Sequence, residues 1–164
     1  MHHTVSNRKG YFFTNQRKTM ESKTIKIRYT REGVTPMEKY SNGDWIDLRA
    51  GVDMALTKGE LALIPLGVAM QLPEGYEALV APRSSSARKF NILQANSIGI
   101  IDETYCGDND EWMLSVLPLE NTMIHKNDRI CQFRIIEHQP PLVFDAVEHL
   151  NNEDRGGFGS TGTK

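Results

Sequence analysis

The sequence predicts an all-β fold in one domain, and three observations point there. Short runs of β-branched and aromatic residues alternate with turn residues at a spacing of roughly 8–15 positions. No segment holds a helical period for more than about two turns. The chain has 164 residues, 39% of them hydrophobic and 24% charged, enough for one core but not for two substantial ones, and unlike a disordered chain.

Taken in order, residues 1–23 read as an unstructured extension with Met20 as an alternative start. The β domain is expected over 24–150 and a mobile, glycine-rich C-terminal arm over 151–164. Strands are predicted at 25–29, 45–48, 61–64, 67–72, 78–81, 112–117, 129–136 and 143–148, where β-forming residues cluster. Pro65, the run Pro73-Glu74-Gly75 and the pair Asn127-Asp128 punctuate them. Residues 84–90 are the one stretch expected to be helical, with Ser84 as its cap ahead of Ala87, Arg88 and Lys89. Short strands in this number imply a sandwich, jelly roll or barrel, in which function collects on loops and strand ends.

Charge narrows the partners. The net charge is −2, but residues 1–24 hold five Lys or Arg and one acid, which leaves 14 bases and 20 acids elsewhere. An acidic body excludes a nucleic-acid groove, and it handles a polyanion only through a few placed cations, backbone amides or a metal ion. Cys106 and Cys131 are the two cysteines, too sparse for a disulfide scaffold or a zinc site and suited to a reducing cytoplasm. The five histidines show no metal-ligand spacing. No run approaches the roughly 18 apolar residues of a membrane span, and the basic start lacks the apolar stretch of a signal peptide. A cytoplasmic protein is expected.

Three segments could carry chemistry. The C-terminal run from Gly157 to Lys164 is rich in glycine and hydroxyls, able to approach phosphates, with Arg155 and Phe158 as its one cation and one aromatic before the terminal lysine. It is not a P-loop, because Thr163 separates Gly162 from Lys164 and no helix follows. Arg83-Ser84-Ser85-Ser86, after Pro82, has the composition of an anion site at a strand-to-helix turn. Residues 96–105 set Asp102 and Tyr105 after an apolar run kinked by Gly99, which fits a hairpin. Backbone groups that lose cross-strand partners at such a bend can pair instead with the edge of a base, and uracil's edge suits that mimicry.

These pieces resemble, in order and spacing, the five motifs of the trimeric dUTPase family. Asp44-Trp45-Ile46-Asp47-Leu48-Arg49-Ala50 is similar to the first, Pro82-Arg83-Ser84-Ser85 to the second, and Asn96 through Gly107 to the third. Asp128-Arg129-Ile130-Cys131-Gln132 resembles the fourth, with Cys131 in place of the more usual alanine, and Arg155-Gly156-Gly157-Phe158-Gly159-Ser160-Thr161-Gly162 the fifth.

The resemblance implies a β-jelly roll of the β-clip type, assembled as a homotrimer whose active sites draw on more than one subunit. It implies hydrolysis of dUTP to dUMP and pyrophosphate, which limits uracil in DNA and supplies dUMP for thymidylate synthesis. Asp102 would activate the water, with Ser84, the Ser85 amide and Gln132 at the phosphate chain. Asn96 and the backbone around Gly99 and Ile101 would read uracil, and Tyr105 would pack on the deoxyribose. Arg155, Ser160 and Thr161 would hold the terminal phosphates beneath Phe158 and Gly159, with Arg83, Asp47 and Arg129 in support. Mg²⁺ would be held by triphosphate oxygens and waters, with no direct protein ligand.

Two departures from the family pattern stand out. The fifth motif is shorter by two residues between its Arg-Gly and Gly-Phe elements. The segment Asp108-Asn109-Asp110-Glu111-Trp112 follows Gly107, where an apolar strand is more usual. Its acids read as a solvated loop, and Trp112 is a candidate lid over the base in place of Phe158. A dCTP deaminase on the same scaffold and a regulatory binding protein, with its own protein partner, are the alternatives.

Overall fold

Burial along two of the longer strands follows a period of two, which lays one face of each against a common core. The structure is a computed structural model that describes residues 21–39 and 43–156. In β6 (Tyr76–Pro82) Ala78 and Val80 point inward, and in β9 (Met113–Pro118) Leu114, Val116 and Pro118 do so. The remaining strands are β1 (Lys26–Tyr29), β2 (Ile46–Arg49), β3 (Met54–Leu56), β4 (Ala62–Pro65), β5 (Val68–Gln71), β7 (Ile92–Gln94), β8 (Gly99–Ile101), β10 (Thr122–Ile124) and β11 (Arg129–Glu137). One short helix, α1 (Ser86–Phe90), joins β6 to β7.

The pairings are antiparallel throughout. A four-stranded sheet runs β2-β11-β6-β8 and a three-stranded sheet runs β4-β9-β7, with β1-β5 and β3-β10 as two-stranded ribbons. Side chains from all of them meet in one core that includes Leu48, Ile64, Leu66, Ile124, Ile130 and Phe133. This is a jelly roll, as the strand pattern and the family resemblance both imply. Where the β4–β5 turn crosses the end of β2, a Cβ on Gly51 would lie 2.7 Å from the Gly67 amide, and Gly67 itself has φ +69°. Glycine is needed at both places.

Seven expected strands form within a residue or two of their predicted bounds. Four more, β3, β7, β8 and β10, were not predicted, because three residues are too few to display a period. The eighth expected strand, 143–148, does not form. Val143 and Phe144 are 95% and 90% exposed, since among the described residues no strand lies beside them to complete a ladder.

Candidate active site

At the C-terminal end of β6 the chain gathers a cluster around Asp47. Asp47 lies on β2, opposite Gln132 of β11, and Gln132 in turn lies opposite Ala81 of β6. The Asp47 carboxylate pairs with Arg83 Nε at 2.7 Å through Oδ1 and with Arg129 Nη1 at 3.2 Å through Oδ2. Arg129 reaches it because β11 carries a bulge against β2 between Arg129 and Cys131. A bulge re-aims the side chains on either side of it. The Gln132 amide nitrogen donates to Pro82 O at 3.2 Å. Burial pushes the Cys131 thiol well up, and the Asp47 carboxylate adds to that effect, so Cys131 is an inert packing residue.

The turn that follows β6 is pinned by a residue the sequence reading passed over. Ser86 is buried; its hydroxyl accepts from the Arg83 amide at 3.1 Å and donates to Ile130 O at 2.8 Å. Three consecutive serines concealed which one faces inward. The helix cap is Ser85 rather than Ser84, and Ser85 makes no side-chain capping bond. Ser84 stands exposed at the rim. Among the described residues the Ser84 and Ser85 amides have no acceptor, which leaves donors for an anion.

A second cluster lies on the turn after β8. The segment 96–105 is not a two-stranded hairpin: β8 pairs with β6, whereas β7 pairs with β9 in the other sheet, so the chain crosses between sheets at Asn96 and Ser97. Ser97 takes a positive φ of 59° there. β8 is the edge of its sheet, and an edge strand offers alternate N–H and C=O groups along its free side. Gly99 fits closely against β6, where an added Cβ would lie 3.2 Å from Val80 Cβ. Ile101 is half-buried against the core.

Beyond β8, the Tyr105 amide donates to Asp102 O at 3.1 Å and closes a tight turn. The exposed Asp102 carboxylate accepts from the Thr104 amide at 2.8 Å. The Thr104 hydroxyl, its amide and the charge of His138 hold the Asp102 carboxyl below its ordinary value, outweighing a small opposing effect of desolvation. Tyr105 is 43% exposed, and its hydroxyl donates to Glu111 O at 3.3 Å.

Trp112 is not a lid. It is 0% exposed and packs edge-on against Phe133, with ring centroids 5.4 Å apart. Its ring is the largest fully buried side chain of the core, so it cannot cover a base. Nor is Glu111 part of a solvated loop, since its carboxylate accepts two bonds from Arg31, at 2.6 and 2.7 Å. Burial pushes the Glu111 carboxyl up, but the Arg31 and Thr30 hydrogen bonds, the Arg31 charge and the Gly67 amide outweigh it and hold the group below its usual range. The acids read as solvated are accurate only for the exposed Asp108; Asp110 turns back to accept from the Gly107 amide at 2.6 Å. Arg155 is exposed at the end of the described chain, and Phe158, Gly159, Ser160 and Thr161 lie outside the described residues.

The two clusters do not meet within one chain. Asp102 lies one step beyond the Ala78–Ile101 pair, level with Glu77. Arg83 lies six residues further along the same strand direction, a separation of about 20 Å at the usual rise per residue.

A profile of the dUTPase family matches residues 33–162. The chain is 56% identical over 140 residues to the SPbeta prophage-derived deoxyuridine 5'-triphosphate nucleotidohydrolase of Bacillus subtilis, covering 85% of this chain and 99% of that one. Its fold matches a variant of the Staphylococcus bacteriophage 80alpha dUTPase bound to dUpNHpp, with a TM-score of 0.70, 20% identity and coverage of 86% and 99%. It also matches a variant dUTPase from phage phi11 of S. aureus that coordinates a structural Mg(II) ion, with a TM-score of 0.67, 20% identity and coverage of 79% and 99%.

Proposed function

The chain belongs to the dUTPase family and hydrolyses dUTP, and we propose that it does so as a homotrimer, in sites built from the Asp47–Arg83 cluster of one subunit and the Asp102 turn of another. The carrying observation is the separation of about 20 Å between those clusters along β6. A nucleotide whose α-phosphate lies against Asp102 stands about 20 Å from the Arg83–Ser85 turn of its own chain, too far for one triphosphate to reach the donors there. A neighbouring chain can supply them.

In that site the free edge of β8, with Asn96, Gly99 and Ile101, pairs with the uracil edge, and the Tyr105 ring lies against the deoxyribose. Asp102 accepts a proton from a water whose oxygen attacks the α-phosphorus. The bond from that phosphorus to the bridging oxygen breaks, and pyrophosphate leaves. With its carboxyl held low by Thr104, Asp102 is ionised across the physiological range and ready to act as base. The hydroxyl of Ser84, the Ser85 amide and the Gln132 amide donate to the phosphate chain as charge develops. Arg83, kept in place by Asp47 together with Arg129, supports that wall. Arg155, Ser160 and Thr161 bind the terminal phosphates, and Phe158 with Gly159 closes over the base.

No group of His, Cys, Asp or Glu able to hold a metal occurs among the described residues. A Mg²⁺ would be held through triphosphate oxygens and waters, as this hard ion commonly is. When bound, the ion neutralises phosphate charge. Among the described residues no helix is long and apolar enough to cross a membrane; the proposed role is a cytoplasmic one, keeping dUTP low and supplying dUMP.

Two assays test the reading. Pyrophosphate release with Mg²⁺ is expected from dUTP and not from dCTP, dTTP or UTP, and ammonia release from dCTP is expected to be absent. Mixing Asp102→Asn with Gln132→Ala subunits, each inactive alone, is expected to restore about a quarter of the sites if each site spans two subunits. No recovery in trimers shown to be mixed would overturn the composite site.

A further inference from the structure

The acidic segment after Tyr105 is held in a way that neither a solvated loop nor a lid explains. Glu111 Oε1 accepts from Arg31 Nε at 2.6 Å, Thr30 Oγ1 at 2.9 Å and the Gly67 amide at 3.0 Å, and Oε2 accepts from Arg31 Nη2 at 2.7 Å. The backbone carbonyl of the same residue accepts the Tyr105 hydroxyl. Arg28 Nη1 donates to Asp108 O at 2.6 Å, and the Asp110 amide donates to Gly107 O at 3.1 Å, so the loop between Tyr105 and Glu111 is tied down along its length. On the far side, the Trp112 amide donates to Val68 O at 2.8 Å, and Trp112 O accepts from Leu66 N at 2.9 Å.

We infer that Glu111, clamped by Arg31, is a positioning residue that fixes the Tyr105 ring and thereby sets the discrimination between a 2'-deoxy and a 2'-hydroxy sugar. The inference rests on the reading above that Tyr105 lies against the sugar. A partly exposed tyrosine on a turn has little packing to fix its ring, so the hydrogen bond to Glu111 O is its main restraint, and that carbonyl is as rigid as the clamp behind it. A bidentate arginine–carboxylate pair is a directional tie that a lysine reproduces only in part.

Rejection of a hydroxyl depends on how little space the ring leaves, so a loosened ring raises UTP turnover more than it lowers dUTP turnover. Small misplacements of such groups change rates steeply. Stability loss alone would reduce both nucleotides equally.

The test is the ratio of kcat/KM for dUTP to that for UTP, measured on the full chain with Mg²⁺, with thermal melts to confirm folding. Glu111→Gln and Arg31→Ala are each expected to lower the ratio by on the order of tenfold, and Arg31→Lys to recover part of it. Tyr105→Phe, which keeps the ring but loses the hydroxyl, should lower it similarly. The double variant Tyr105→Phe with Arg31→Ala should then be no worse than either single one, because both remove the same restraint. An unchanged ratio in folded Glu111→Gln and Arg31→Ala, or additive losses in the double variant, would overturn the inference. Should Tyr105→Ala leave the ratio unchanged, the role of Tyr105 at the sugar is wrong, and the clamp has no specificity to transmit.

Discussion

The Asp47 cluster and the Asp102 turn are both assigned to one reaction, yet they are built in opposite ways. Asp47 lies on the outer strand β2 but its side chain is mostly shielded, with Arg83 and Arg129 on its two oxygens and a buried serine stapling the turn beside it. Asp102 stands exposed past the sheet edge, held by a hydrogen bond from its own turn. One region is complete before any ligand arrives; the other is an open half that becomes a site only when something is laid against it. On the proposed composite site, the phosphate-binding half is preformed, whereas the half that carries Asp102 is open to a neighbouring subunit. Loss of the Asp47 ion pairs should therefore show in stability, and loss of Asp102 in rate.

The sharpest way to break that division is Asp102→Asn. Loss of the base is expected to reduce kcat by about a thousandfold, or about 4 kcal/mol of transition-state stabilisation, while the thermal midpoint stays within a degree or two of the parent. A large drop in the melting temperature would show that the turn is structural after all.

Trp112→Phe comes next, because Trp112 anchors the loop that runs from the turn into the core. Opening space beside Phe133 is expected to cost about 1–3 kcal/mol of stability by chemical denaturation, with KM for dUTP little altered. A tryptophan that covered the base would give the reverse, a raised KM in a protein of unchanged stability.

These two residues also show what the sequence makes legible. Asp102 is placed by a motif, and a motif survives any error in strand assignment. The longer strands are legible because six or more residues display their period, and Pro73-Glu74-Gly75 marks its turn with residues that can do little else. Trp112 is not legible as a core residue because an aromatic after four polar residues resembles a loop residue; the segment is received by Thr30, Gly67 and Val68, at the ends of β1 and β5 and far away in the sequence. Glu111 failed for the same reason, since its partner Arg31 is 80 residues distant. Ser86 was hidden among identical neighbours. Residues 143–148 carry a strand pattern without a partner among the described residues, and a pattern states what a segment can pair with, not whether the partner is there.

Asp47→Asn probes the preformed half directly. It leaves Arg83 and Arg129 facing a neutral amide, and is expected to cost about 1–2 kcal/mol, most of it from Arg83, because the more exposed Arg129 is screened by solvent. Urea denaturation measures the loss. The acid limb of the rate profile is a separate readout, because it follows the ionisation of the base rather than the strength of these ion pairs.

That limb belongs to Asp102, and Thr104→Val addresses it with the smallest change. The Asp102 carboxyl is held below its ordinary value by the Thr104 hydroxyl and amide and by His138. A depressed value keeps the base ionised to lower pH, so kcat/KM for the parent should fall only below the usual aspartate range, near 3.9. Valine removes the hydroxyl and keeps the amide, so the carboxyl rises part of the way back and the limb moves to higher pH, with the plateau rate at neutral pH unchanged. The measurement is kcat/KM for dUTP against pH in buffers of constant ionic strength, over the range in which the protein stays folded. A limb that does not shift, or shifts to lower pH, would mean that the titrating group in the rate is not Asp102. The turn would then position the nucleotide without supplying the base.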